Sequence, residues 1–106
     1  MYTVTNRVWV AESWCEEFEG RFRHRAGEIH SQPGFVRMEV HRPLSEDAPY
    51  QVVTVWQDRE AFENWVGSED FRAAHANPLP GEAFTRESRM ERHETVVSAT
   101  ATRPPD

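Results

Sequence analysis

Residues 56–75 decide the fold of this chain, and they read WQDREAFENWVGSEDFRAAH. Apolar residues recur at helical spacing after Asp58, an acidic residue of the kind that caps helix N-termini. Gly67 then ends this helix, and Ser68 is placed to cap a second one that runs to His75. The stretch therefore predicts two short helices directly after a strand.

The break between the two helices matters for Trp65 and His75. In one unbroken helix, at about 100° per residue, the two side chains would point roughly 80° apart. A break at Gly67 and Ser68 allows both to face the same space. We therefore expect Trp65 and His75 to line a common pocket.

Composition and charge exclude several classes of partner. The chain has 106 residues, 38% of them hydrophobic, and a formal net charge of −6, whereas nucleic-acid-binding domains are usually basic. No apolar run is long enough to cross a membrane or to act as a signal peptide. Cys15 is the only cysteine, so no disulfide can form within the chain. We expect a cytoplasmic protein that binds neither nucleic acid nor membrane.

The order of elements predicts the fold class. Alternation and helical periodicity predict strands at 3–11, 35–42, 50–56 and 84–99, and a helix from a capping box at Ser13 and Glu16 to about His30. Strand-helix-strand occurs twice, which predicts an α+β fold of the ferredoxin-like sandwich type, with helices on one face of an antiparallel sheet. We expect a single domain over residues 1–99 and a flexible C-terminal tail over residues 100–106.

The strand at 50–56 is apolar on both faces, although the helices cover only one face of such a sheet. Tyr50, Trp56 and Trp9 suggest that the other face is buried too. A second copy of the chain would provide the cover, so we expect a homodimer packed sheet against sheet.

Three residues carry possible chemistry, and each also has an ordinary explanation. Asn6 lies among valines, where it is either a satisfied buried amide or a donor aimed into a pocket. His75 ends an apolar helix face, where it is either a packed or capping residue or a ligand to a metal or heme iron. Trp65 follows Phe62 by three residues and is most simply a core residue. Taken singly, none of the three indicates a function.

Taken together, residues spread over positions 4–80 match a known family pattern. They are Asn6, Gly34-Phe35, Val55-Trp56, Phe62-Glu63-Asn64-Trp65, Ser68 and Phe71-Arg72-Ala73-Ala74-His75. This combination resembles the antibiotic biosynthesis monooxygenase superfamily, and more narrowly its heme-degrading IsdG-type members. The resemblance implies a dimeric α+β barrel with a heme pocket in each subunit.

The resemblance also implies a role for each of the three residues. His75 would be the ligand to heme iron, Asn6 would hydrogen-bond dioxygen on the other side of the heme, and Trp65 would press on the porphyrin. Heme would be both substrate and cofactor of a monooxygenase that opens the ring and releases iron. The electrons would come from an external electron donor, a reductase.

A bound heme needs an apolar slot and cations for its two propionates. Candidates for the slot are Phe22, Phe71, Val53 and Val55. Arg21 and Arg25 are spaced i, i+4 and match the family's Arg-Phe-x-His-Arg pattern as Arg21-Phe22-Arg23-His24-Arg25. The alternative for these arginines is an ordinary solvated helix face.

Two other functions stay open. A cofactor-free monooxygenase could oxidise an aromatic polyketide in the same cavity, and His75 would then be dispensable. A non-enzymatic protein could bind heme without degrading it.

Overall fold

The computed structural model describes residues 1–103, apart from the side chains of residues 25–27. Its elements are β1 (Tyr2–Val8), α1 (Cys15–His30), β2 (Phe35–His41), β3 (Tyr50–Trp56), α2 (Arg59–Val66), α3 (Glu69–Ala74) and β4 (Arg89–Glu94). The four strands form one antiparallel sheet in the order β2-β3-β1-β4. This topology confirms the predicted ferredoxin-like α+β sandwich. No helix among the described residues is long and apolar enough to span a membrane.

The two short helices begin where the sequence predicts. The Asp58 carboxylate accepts a hydrogen bond from the Ala61 N–H at 2.8 Å, and the Ser68 hydroxyl accepts one from the Phe71 N–H at 3.1 Å. These bonds satisfy N–H groups that have no partner inside the helix. Gly67 lies between the helices as the C-cap of α2. Both predicted caps are confirmed.

The start of α1 differs from the prediction. A short 3-10 turn spans Glu12–Trp14, so Ser13 lies inside the turn and caps nothing, and α1 begins at Cys15. The residues before α1 already form a helical turn, in which the Trp14 N–H donates to the Ala11 carbonyl at 2.8 Å. The predicted capping box is therefore wrong, because backbone carbonyls of the turn do the work of a capping side chain.

The final strand is shorter than the predicted 84–99. β4 ends at Glu94, opposite Tyr2, and the Thr95 N–H then bonds to the Met1 carbonyl at 2.8 Å. The β1–β4 ladder pairs Tyr2–Arg7 with Arg89–Glu94 only. The β-branched pair Val96 and Val97 is consequently 88% and 85% exposed. Of the predicted C-terminal tail, residues 104–106 lie outside the described residues.

Tyr50 and Trp56 lie on the other face of the sheet from the one that the sequence suggested. Tyr50 and Trp56 face the helices, where Tyr50 packs on Phe18 at 4.8 Å and Trp56 stacks on Trp65 at 6.4 Å between ring centroids. Both are almost fully buried there, at 2% and 0% exposure. Trp9 donates its indole N–H to the Asp47 carbonyl at 3.0 Å. The expectation that Tyr50 and Trp56 mark a second buried face is therefore wrong.

The hydrophobic core is divided into two clusters. The tryptophan cluster consists of Val4, Ile29, Trp56, Phe62, Trp65 and Ala74. The Phe18 cluster consists of Phe18, Tyr50, Leu79 and Ala83. The two clusters are separated by a gap on the helix side of the sheet, and residues of both clusters line it.

A polar network fixes α1 to the sheet near the Phe18 cluster. Glu19 on α1 accepts hydrogen bonds from the Arg42 guanidinium and from the Tyr50 hydroxyl. These two donors, of which Arg42 has the larger effect, lower the pKa of the Glu19 carboxyl to about 2. The carboxylate therefore stays ionised at neutral pH and holds this part of α1, including the next turn at Arg21 and Phe22, in place.

Gly34 is required by its position between α1 and β2. Its φ is +79°, and a Cβ added there would lie 2.5 Å from the Cβ of Ala61. We expect Gly34→Ala to lower the free energy of unfolding by about 2–4 kcal/mol, because it combines left-handed backbone strain with overpacking. Urea unfolding followed by circular dichroism would measure the change.

Gly20 provides the matched control for this prediction. It lies within α1, and an added Cβ would meet no atom within 4 Å. Gly20→Ala should stabilise the protein by up to about 1 kcal/mol through helix propensity. Equal stability of the two variants would show that Gly34 is not constrained as described.

Candidate functional site

The gap between the two clusters is a cleft of about 680 Å³. The sheet contributes Val4, Asn6, Val8, Met38, Val52, Thr54, Met90 and Arg92, and the helices contribute among others Arg21, Phe22, Ile29, Trp65, Phe71 and His75. The volume is within the range of about 300–1,000 Å³ that is usual for pockets binding small organic ligands. A mostly apolar wall with a few polar groups suits a flat apolar ligand.

Asn6 is placed where the two clusters separate. On β1 it lies between Val4, which belongs to the tryptophan cluster, and Val8, which packs against the Phe18 cluster. Its partners in register are Val52 and Met90, whose side chains offer no hydrogen-bonding oxygen or nitrogen. The amide is half-buried and borders the cleft. Within the part of the chain that the structure describes, it is thus available to a ligand as donor or acceptor.

Trp65 forms part of the cleft wall and is also a core residue. It is 7% exposed, stacks on Trp56, and meets the Phe71 ring edge-on at 5.5 Å and 88°. Aromatic contacts on two sides hold the indole in one orientation. Any ligand in the cleft therefore meets a rigid surface at this position.

His75 presents one ring nitrogen for coordination. Its Nδ1 lies 2.8 Å from the Phe71 carbonyl oxygen, and its ring stacks on the Phe71 ring at 4.1 Å. A carbonyl oxygen only accepts, so Nδ1 carries the proton and the lone pair lies on Nε2. In histidines that bind metals, the ring nitrogen that does not bind the metal usually donates its N–H to such an oxygen, and this hydrogen bond orients the ring.

The break between α2 and α3 is held by hydrogen bonds. The Trp65 carbonyl accepts from the Ser68 N–H at 3.0 Å and from the Ser68 hydroxyl at 2.7 Å. Ser68 in turn caps α3. Because the chain turns here, Trp65 and His75 line the same cleft although they belong to different helices.

His75 is a single potential ligand rather than part of a protein metal cage. Among the described residues, no three His, Cys, Asp or Glu side chains are grouped so as to hold a metal ion. One imidazole at an apolar cleft suits a metal that brings its other ligands with it, as heme iron does.

Only some of the residues predicted to bind the propionates or to form the apolar slot line the cleft. Phe22 and Phe71 line the cleft, and so does Arg21, which also donates to the carbonyl of Asn77, two residues beyond His75. This bond ties α1 to the segment that follows His75. The side chain of Arg25 lies outside the described residues.

Two slot candidates are on the wrong face of the sheet. Val53 and Val55 point away from the helices, and the neighbouring Val52 and Thr54 line the cleft instead. The reason is the period of two along β3, which puts Val52 and Thr54 on the same side as the buried Trp56. The assignment of Val53 and Val55 to the slot is therefore wrong.

Sequence reasoning missed the contribution of β4. Met90 lies opposite Asn6 and Arg92 lies opposite Val4, so both belong to the cleft side. The alternation of residues 90 and 92 is visible in the sequence, but only the register with β1 shows which face they share. The sheet therefore adds a cation, Arg92, to the cleft wall.

Comparisons with known proteins are consistent with this fold and site. A family model described as antibiotic biosynthesis monooxygenase matches residues 1–77. The chain is 37% identical over 86 residues to a mycobilin-producing heme oxygenase of Mycobacterium tuberculosis, covering 81% of each protein.

Two solved structures are similar over nearly the whole chain. The heme degrader MhuD of Mycobacterium tuberculosis, with two hemes in its active site, has a TM-score of 0.78 and 30% identity, with 94% of this chain and 100% of that one covered. A point mutant of SnoaB, a cofactor-independent oxygenase of Streptomyces nogalater, has a TM-score of 0.71 and 26% identity, with 92% and 94% covered. Since the family model spans well over half of the sequence, this chain belongs to the antibiotic biosynthesis monooxygenase family.

Proposed function

We propose that this protein is a heme-degrading monooxygenase that binds heme as substrate and cofactor, opens its ring with dioxygen and reductant, and releases iron. The observation that carries the proposal is the His75 imidazole, whose Nδ1 is fixed by the Phe71 carbonyl so that Nε2 is free at an apolar cleft. Similarity to a mycobacterial heme oxygenase over most of both chains supports it.

The residues of the cleft fit a heme. When bound, heme supplies both an iron that activates dioxygen and the ring that is oxidised. His75 would bind the iron through Nε2, and Trp65 would fix the orientation and shape of the ring because it is held rigidly by Trp56 and Phe71. The Asn6 amide would donate its N–H to oxygen, since the apolar neighbours of Asn6 leave it no competing partner.

Charged and aromatic groups near α1 complete the proposed pocket. Phe22 and Phe71 would contact the faces or edges of the ring, as their place in the cleft allows. Arg21 would bind a propionate, because its guanidinium has five N–H donors and its bond to Asn77 uses few of them. For Arg25 the proposal depends only on its i, i+4 spacing from Arg21.

Titration of the purified protein with hemin, followed by ascorbate in air with catalase present, tests the proposal. We expect a saturable shift of the Soret band and then its loss with release of iron. Stable binding without loss of the band would instead identify a heme-binding protein that is not an enzyme.

The second candidate is a cofactor-free monooxygenase acting on an aromatic polyketide. The structural similarity to SnoaB favours it, since that protein is a cofactor-independent oxygenase. In that case Asn6 and Trp65 would still line the substrate cleft, whereas Nε2 of His75 would have no iron to bind. Absence of hemin binding in the titration above would support this candidate.

We also propose a homodimer that covers the open face of the sheet. This face carries the half-buried Val53 beside ion pairs such as Arg7–Glu91 at 2.8 Å, whereas Val55 on the same face is already 4% exposed within one chain. Sedimentation velocity should show a species of twice 12.4 kDa, and Val53→Glu should weaken it because a charge would be buried between the sheets. Leu44→Glu is the control, since Leu44 is 99% exposed. A monomer at micromolar concentration would contradict the dimer.

The reaction requires reducing equivalents, and we propose a separate reductase as the electron donor. A single cysteine, Cys15, is consistent with a reducing compartment, so we propose the cytoplasm as the location.

A further inference from the structure

Arg92 stands at the open side of the cleft. It lies on β4 opposite Val4, on the face that carries Asn6, and its guanidinium carbon is 5.6 Å from the centre of the Phe62 ring. Met90, the neighbouring cleft residue of β4, is 51% exposed. The cleft therefore opens to solvent along β4, and Arg92 is the cation at this opening.

The surrounding charges leave Arg92 available. None of the ion pairs among the described residues includes it. The cleft lining includes two acidic residues, Glu28 on α1 and Glu63 on α2, and Glu63 is paired with Arg59 at 2.8 Å. By contrast, Arg89 lies on the opposite face of β4, where its guanidinium pairs with the Glu91 carboxylate at 3.7 Å.

The chemistry of this arrangement suits a carboxylate. A guanidinium that rests against an aromatic ring keeps its N–H groups free at the edge, where a carboxylate can accept two of them. An amphipathic ligand would bury its apolar body against Trp65 and Phe71 and leave its acid group at the hydrated opening. The alternative partners for Arg92 are solvent and Glu94, which lies two residues further along the same face of β4.

We propose that Arg92 binds a carboxylate of the ligand and thereby selects flat apolar substrates that carry an acid group. For heme this group is a propionate, so the inference depends on the proposed function and extends it. Arg92 is then a specificity residue contributed by the sheet, separate from Arg21 and Arg25 on α1.

Hemin and hemin dimethyl ester distinguish the carboxylate contact from the ring contact, since the ester lacks the charge. We expect Arg92→Met to weaken hemin binding about three- to tenfold, as for a partly exposed charge-assisted pair, and Arg92→Lys to weaken it less. Binding of the ester should be unchanged by either substitution. The dissociation constants come from visible-spectrum titrations of each variant.

Arg86→Met is the matched control. Arg86 also lies over an aromatic ring, that of Trp9 at 4.7 Å, but neither residue lines the cleft. It should bind hemin as the wild type does. If Arg92→Met leaves hemin binding unchanged, or weakens hemin and ester equally, the inference is wrong while the proposed function stands. If the wild type binds neither compound, the proposed function fails and the inference fails with it.

Discussion

Replacing His75 with alanine is expected to remove the proposed protein ligand of heme iron and to lower ring opening by more than about 100-fold. This factor is a lower bound, because loss of residues that merely orient a metal ligand already costs about 10–100-fold. The Phe71 carbonyl fixes the proton on Nδ1, so Nε2 has its lone pair free at the cleft. The visible and electron paramagnetic resonance spectra of the ferric complex should change together with turnover.

Two controls make the His75 result specific. His30→Ala removes another exposed imidazole, one that lies beside Phe35 and outside the cleft, and should leave spectrum and turnover unchanged. Added imidazole should restore part of the wild-type spectrum to His75→Ala, because it can occupy the position that the side chain leaves. An unchanged iron spectrum in His75→Ala would show that this residue is not the ligand.

Replacing Asn6 with alanine is expected to separate binding from chemistry. Hemin affinity should change little, since in the proposed complex apolar contacts and His75 hold the ring. Ring opening should fall by about 10²-fold, the scale seen when one preorganised hydrogen-bond donor is removed from an active site. Single-turnover loss of the Soret band, measured beside the dissociation constant, gives both quantities.

Asn6→Asp and Asn64→Ala complete this experiment. Asp has nearly the same shape as Asn but no N–H donor when ionised, so it should be as impaired as Asn6→Ala. Asn64 is an exposed asparagine on α2 outside the cleft, and its replacement should have no effect. Wild-type turnover in Asn6→Ala would exclude a role for this amide in the reaction.

The parts of the fold that were predictable from sequence depend on local interactions. Asp58 and Ser68 cap helices through N–H groups only three residues away, so residue type and spacing suffice to predict them. The limits of β3 were likewise predicted correctly at both ends, since an apolar run between turn residues defines them. The start of α1 was predicted wrongly, because a backbone turn replaces the side-chain cap expected at Ser13.

What escaped prediction depends on pairing between distant segments. Alternation shows that Tyr50 and Trp56 share a face, but it does not show whether the helices lie on that face. For the same reason the sequence does not predict that Arg92 lines the cleft. Its position follows from its pairing with Val4, which is near the other end of the chain. Asn6 is distinct in the sequence because it is polar among valines, and the structure gives the reason: it lies at the gap between the two clusters.

The most direct test of the central claim is a single turnover of the hemin complex under ¹⁸O₂ with ascorbate as the reductant, with mass spectrometry of the product and an iron chelator present. The account predicts a linear tetrapyrrole that contains ¹⁸O, with one iron released for each heme consumed. Recovery of intact heme, or of an opened ring without the label, would contradict it.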